Sequence, residues 1–174
     1  MTGVKKILIV DFDKNLQEIL KEQLEVQGEF ITDAANDGQT AINKTLAQYY
    51  DVIIMEVCLT DIDGRVVCRT MRENGITSPI VILSNSIDDL DAISALDAGA
   101  SDYVTKPFKF SLLIAHLRAR IRHRGAEHVL GLLHERDALS ARLPQLRGEA
   151  LHARGGGRAS GDGLHPPPPR LGWD

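Results

Sequence analysis

Val52-Ile53-Ile54-Met55-Glu56 is an unbroken apolar run that ends on a carboxylate. The pattern recurs on both sides of it. Ile7-Leu8-Ile9-Val10 ends at Asp11, Ile80-Val81-Ile82-Leu83 ends at Ser84, and the shorter Tyr103-Val104 leads into Thr105-Lys106-Pro107-Phe108. Branched residues without polar alternation, in runs of this length, suit strands of a parallel sheet buried on both faces. In open parallel sheets the carboxyl ends of the strands carry the ligand crevice. An acid, a second acid, a hydroxyl and a lysine are therefore expected to meet at one end of the sheet.

Between the runs the apolar period becomes helical. Leu16, Ile19, Leu20, Gln23 and Leu24 fit one side of a helix over residues 14–27, with Asp13 or Lys14 near its start. Phe30-Ile31 reads as a further strand. Asp37-Gly38 opens a helix through Ala41, Ile42, Thr45 and Leu46, and Gly64 opens one bearing Val67, Cys68 and Met71 that stops near Asn74-Gly75. Asp88-Asp89-Leu90 begins another, with Ile93, Leu96 and Ala98 facing inward and Gly99 as its stop. The last runs from about Ser111 through Leu112, Leu113, Ala115, Leu117, Ala119 and Ile121. Five strand–helix units with right-handed crossovers predict an α/β fold, a doubly wound five-stranded parallel sheet.

The 174 residues suffice for one core and an appendage. No apolar run approaches the ~20 residues that span a bilayer, and the N-terminus lacks a signal-peptide pattern, so a cytoplasmic protein without membrane contact is expected. Residues 1–124 hold 18 acids against 14 Lys and Arg, and this acidic body argues against nucleic-acid binding. Cys58 and Cys68 lack metal-ligand spacing and are expected as buried free thiols. The six histidines all lie at or after His116 without a paired metal motif. A calcium loop from Asp11, Asp13, Asp61 and Asp63 lacks the EF-hand spacing. There is no glycine-rich phosphate loop and no Ser-His-Asp arrangement.

Taken in order, Asp11, position 56, Ser84 and Thr105-Lys106-Pro107-Phe108, together with Asp63-Gly64, resemble the receiver domain of bacterial two-component response regulators over residues 4–124. The resemblance implies a signalling module rather than an enzyme, with a homodimer through residues 88–122 and a histidine kinase as partners. Leu90, Ile93, Leu112, Leu113 and the last helix's arginines are its dimer candidates. In the family, two adjacent acids after the first strand hold Mg2+, an aspartate after the third accepts a phosphoryl group, and the lysine stands opposite. Here Asp11 is kept, Phe12 replaces the second acid, Asp13 stands one position too far along, and Glu56 replaces the acceptor. Octahedral magnesium tolerates misplaced ligands badly, so Mg2+ is expected to bind weakly or not at all. A carboxyl displaced by one methylene loses in-line geometry.

Three readings of Glu56 follow. It imitates the phosphorylated state and makes the receiver phosphorylation-independent, or it pairs with Lys106 structurally in a drifted pocket. In the third, residual phosphorylation falls on Glu56, Asp61 or Asp63, as in a working phosphorelay. Lys106 is the expected salt-bridge partner of Glu56 and Asp11, and Pro107 is implied to follow a cis peptide. Ser84 matches the family's switch hydroxyl, or serves as a loop serine capping the helix near Asp88. Tyr103 matches the aromatic whose rotamer reports the switch, or is a half-buried strand tyrosine. Thr60 stands where proline is usual and Asn85 where alanine is frequent.

After residue 124 the composition changes. Residues 125–174 contain no Lys, Ile, Asn, Thr, Phe or Tyr. Val129, Leu132, Leu139, Leu143 and Leu146 fall at a and d of a heptad that Gly131, Arg136 and Pro144 weaken. A receiver over residues 1–124, a helical extension or linker over 125–147 and a disordered Gly/Pro/Arg-rich tail over 148–174 are expected. Winged-helix (OmpR-type) regulators carry a DNA-binding output domain after such a receiver. Its pattern is missing here, which makes an output-less fragment a further alternative. A change of reading frame in the coding DNA would account for the jump and stands as a hypothesis. Failure to find a winged-helix pattern in either other frame beyond codon 124 would sink it.

Overall fold

In the computed structural model of the chain, which describes residues 3–125, the apolar runs become β1 (Lys5–Val10), β2 (Phe30–Ala35), β3 (Val52–Glu56), β4 (Ile80–Ser84) and β5 (Asp102–Thr105). All neighbours pair in parallel, in the order β2-β1-β3-β4-β5. Helices α1 (Lys14–Glu25), α2 (Gly38–Ala47), α3 (Gly64–Glu73) and α4 (Asp89–Asp97) connect them, and α5 occupies residues 110–125. This is the doubly wound α/β sheet expected from the runs. The expectations for residues 126–174, the heptad and the tail among them, lie outside the described residues.

Because β1, β3 and β4 lie inside the sheet, both of their faces are covered and their side chains are buried throughout the apolar runs. One face packs Leu8, Ile53 and Ile82 under α2, α3 and α4 through Ile42, Val67 and Ala95. The other packs Ile7, Ile9 and Ile54 under α1 and α5 through Leu20, Leu24, Leu113 and Leu117. β2 extends to Ala35, beyond the expected Phe30-Ile31, because an edge strand accepts polar residues such as Thr32 and Asp33 on its half-open faces. Asp13, Asp37, Asp63 and Asp88 each cap a helix by accepting a backbone N–H in its first turn.

The structure corrects several inward assignments. In α1 the buried ridge is Gln17, Leu20 and Leu24, while Ile19 and Gln23 face solvent on the neighbouring ridge. Leu46 lies one step beyond the buried arc of α2 and is exposed. In α4, Ile93 and Leu96 point outward and Ala95 is the buried residue. Leu113, a dimer candidate, is buried in the core, whereas Leu112 beside it is exposed. Cys68 is buried as expected, but Cys58 is exposed, since it sits in the loop after β3 rather than on a covered face.

Candidate functional site

The strand ends bring the expected residues together. The ladder continues one residue past β1 and β5: the Asp11 N–H donates to the Ala35 carbonyl at 3.1 Å, and the Lys106 N–H to the Ser84 carbonyl at 2.7 Å. Glu56 closes β3 in register with Leu83 of β4. Gly64 then brings the following loop back, its N–H donating to the Val57 carbonyl at 2.7 Å. A Cβ at Gly64 would stand 2.5 Å from the Glu56 carbonyl oxygen, so glycine is the residue that permits this return.

Asp11, Glu56 and Ser84 are buried, at 3%, 4% and 4% exposure, and the Lys106 side chain is mostly covered. The Lys106 ammonium donates to Glu56 Oε2 and stands 3.7 Å from Asp11 Oδ2. Glu56 Oε1 accepts the Cys58 N–H at 3.1 Å, and Asp11 Oδ1 accepts the Asp13 N–H at 2.8 Å. Every carboxylate oxygen of the pair therefore already faces a donor. Burial pushes the Asp11 carboxyl above its ordinary range, and the Asp13 N–H and the Lys106 charge pull against it. A buried charge is tolerable only when it is paired and hydrogen-bonded, which Lys106 accomplishes for two acids at once. The peptide bond from Lys106 to Pro107 is cis, as implied.

The remaining expected residues sit close by in other roles. The Asp13 carboxylate, a candidate metal ligand, is turned to α1, where Oδ1 accepts from Asn15 and Leu16. Phe12 is half-exposed at the rim and offers no oxygen. With Lys106 already between the remaining acids, the donor set does not suit an octahedral divalent cation. Among the described residues no group of three or more His, Cys, Asp or Glu is placed to hold a metal. Ser84 Oγ accepts the Ser86 N–H at 3.1 Å, within its own loop, and does not cap α4, a task that falls to Asp88. Tyr103 is half-buried, and its hydroxyl donates to the Ser86 carbonyl at 3.1 Å. Asp61 accepts from the Gly38 and Gln39 N–H groups at the start of α2, which hold its carboxyl below the usual range.

Two residues near the site escaped the sequence reading. Gln17 is buried, and its amide donates to the Asp11 and Ala35 carbonyls, joining the ends of β1 and β2. The signal was present: a polar residue one position from Leu16 on the apolar face of α1. Arg65 forms a fork on Asp63 through Nε at 3.0 Å and Nη2 at 2.7 Å, and faces α4 with Nη1. No spacing in the sequence announces it. A cleft of about 390 Å³ opens between Cys58, Arg65, Ser84, Asn85 and Ser86.

The fold has counterparts among known proteins. Residues 7–118 match the response regulator receiver domain family. The response regulator ArlR of Staphylococcus saprophyticus is 35% identical over 136 residues, which are 76% of this chain and 61% of that protein. The chain thus spans less than two thirds of that relative. A two-component response regulator from Clostridium difficile superposes with a TM-score of 0.64 at 37% identity, covering 68% of this chain and 96% of the other. The receiver domain of Francisella response regulator 1452 gives 0.66 at 30%, covering 69% and 98%.

Proposed function

Because the chain belongs to the receiver-domain family of two-component response regulators, we propose that it is a phosphorylation-independent receiver, closed by its own glutamate, that acts through homodimerisation. One observation carries the reading. The Lys106 ammonium is bonded to Glu56, a carboxylate one methylene longer than the aspartate usual in the family. Glu56 puts its negative charge where a receiver would hold the phosphoryl group. Neutralising that charge then requires no metal, because Lys106 is already committed to Glu56 and Asp11.

Receivers are signalling modules, and this one works by association rather than turnover. Its working surface is the face made by residues 88–122, where Leu90, Ile93 and Leu112 stand exposed. A histidine kinase is not required as phosphate source under this reading, and the acidic described body does not contact nucleic acid. Among the described residues no helix is long and apolar enough to cross a membrane. The proposed setting is the cytoplasm.

Intact mass after incubation with magnesium and acetyl phosphate tests the proposal, with Glu56→Asp and Glu56→Asp/Phe12→Asp run beside the native chain. The native chain is expected to stay unmodified while the double variant, with both acids restored, gains one phosphoryl group. A native chain that gains phosphate at Glu56 would overturn the reading and make it a working phosphoacceptor.

A further inference from the structure

Helix α4 is turned the wrong way round for its composition. Four aliphatic side chains in and beside it lie outward: Ile87 just before it is 84% exposed, Leu90 72%, Ile93 52% and Leu96 46%. At about 100° per residue, Asp91, Ser94, Ala95 and Ala98 share the opposite ridge. Ala95 and the capping Ala98 are buried, and Asp91 and Ser94 are half-buried. An amphipathic helix normally buries its large aliphatic side chains, so apolar burial alone does not account for this orientation.

A polar contact lies on the inward side of α4. Asp63, the cap of α3, takes three donors from Arg65: its backbone N–H at 2.8 Å, Nε at 3.0 Å and Nη2 at 2.7 Å. The guanidinium is planar and rigid, so holding one edge on Asp63 fixes where the other points. Its Nη1 lies 3.5 Å from Ser94 Oγ and 3.6 Å from Asp91 Oδ1, the two polar residues of the inward ridge. Asp63 ends the loop that returns from Glu56, so Arg65 links that loop to α4.

We infer that Arg65 is a positioning residue: it bridges Asp63 to the Asp91/Ser94 ridge and thereby keeps α4 rolled with its aliphatic ridge outward. The surface so presented is the one that a second copy of the chain meets, and this consequence rests on the homodimer reading above. Rolling α4 about its axis would bury Leu90 and Ile93, expose Asp91 and Ser94, and remove the surface. Arg65 opposes that roll.

Hydrogen exchange of the α4 amides, measured at a dilution where the chain is monomeric, separates the two ideas. Arg65→Ala and Asp91→Ala are each expected to speed α4 exchange by about three- to fivefold, the scale of one exposed ion pair. The double variant is expected to be no faster than Arg65→Ala, because both changes remove the same bridge. Sedimentation should show weaker self-association in the same variants. Unchanged α4 exchange in Arg65→Ala, or fully additive effects, would overturn the inference. If Arg65→Ala fails to fold, Asp91→Ala, at a half-buried position of α4, gives the same reading by itself. A native chain that stays monomeric at every concentration overturns the self-association reading, while α4 exchange still decides the role of Arg65.

Discussion

The pocket at the strand ends and the outer ridge of α4 break the same rule in opposite directions. The first buries Asp11, Glu56 and Lys106, and the second exposes Ile87, Leu90, Ile93 and Leu96. By contrast, the aliphatic side chains of β3, β4 and β5 and the run Ile7 to Val10 of β1 fill the core. Charges inside and aliphatics outside both cost stability relative to the reverse arrangement, and such violations concentrate where a protein does its work. The difference lies in how each is compensated. The pocket's charges are satisfied internally, by one lysine shared between two acids. Among the described residues the α4 ridge has no partner, and the proposed second copy supplies one.

That contrast is most easily broken at Lys106. Lys106→Ala leaves two buried acids uncompensated and is expected to destabilise the fold by about 3 kcal/mol, read by urea denaturation. A loss below about 1 kcal/mol would mean that water already reaches Glu56 and Asp11. Gly64→Ala comes next, at about 2 kcal/mol, since its Cβ would press on the Glu56 carbonyl backbone rather than on a flexible side chain. Differential scanning calorimetry that finds Gly64→Ala as stable as the native chain would show that the loop can retreat from β3.

The pH dependence sharpens the comparison on the pocket side. Burial raises the Asp11 carboxyl above its ordinary 3.8, so folding takes up protons there as the pH falls. The sign is the reverse of the common carboxylate case. At neutral pH ionised Asp11 lowers stability by the full linkage amount, and the penalty fades as the pH drops through the raised value toward 3.8. The native chain is therefore expected to gain on Asp11→Asn as the pH is lowered from 7, by about 1.4 kcal/mol for each tenfold weakening of the acid on folding. A difference that stays flat with pH, or grows in favour of the variant, would contradict this. Asp61 and Asp63 behave conversely, since their carboxyls are held low and their contribution is lost on acidification.

The smallest expected effect on stability belongs to the ridge. Leu90→Glu/Ile93→Glu alters side chains already in water and should change the unfolding free energy by no more than about 0.5 kcal/mol. Its effect on association is expected to be large, a loss of dimer by about tenfold or more in sedimentation. Self-association that survives the pair of glutamates would move the interface elsewhere.

Much of this was legible in the chain. The runs 7–10, 52–55 and 80–83 suited central strands, because a parallel sheet covered on both faces buries unbroken branched residues. The residues that end them then had to converge. Lys106 meeting Glu56 and Asp11 followed from that topology alone. The helical faces were less legible. Ile19 and Leu46 are apolar and near the right phase, yet each lies just outside the buried arc of its helix, and Ile93 and Leu96 lie opposite the buried arc of α4. Periodicity gives the width of an apolar face but not the roll of the helix on the sheet.

The sequence by itself determined the order of the strands' chemistry: Asp11, Glu56, Ser84 and Lys106 at one end of a parallel sheet, with Phe12 where a second acid would stand. A parallel strand carries its final residue to the crevice whatever the details of packing, so residue type there is already function. Only the tertiary structure decided where each polar group finds its partner. Asp13 went to capping α1, Ser84 to its own loop, and Arg65 to a bridge between α3 and α4. Those choices depend on competition within a few ångströms among groups distant in the chain, and local pattern carries no record of which one wins.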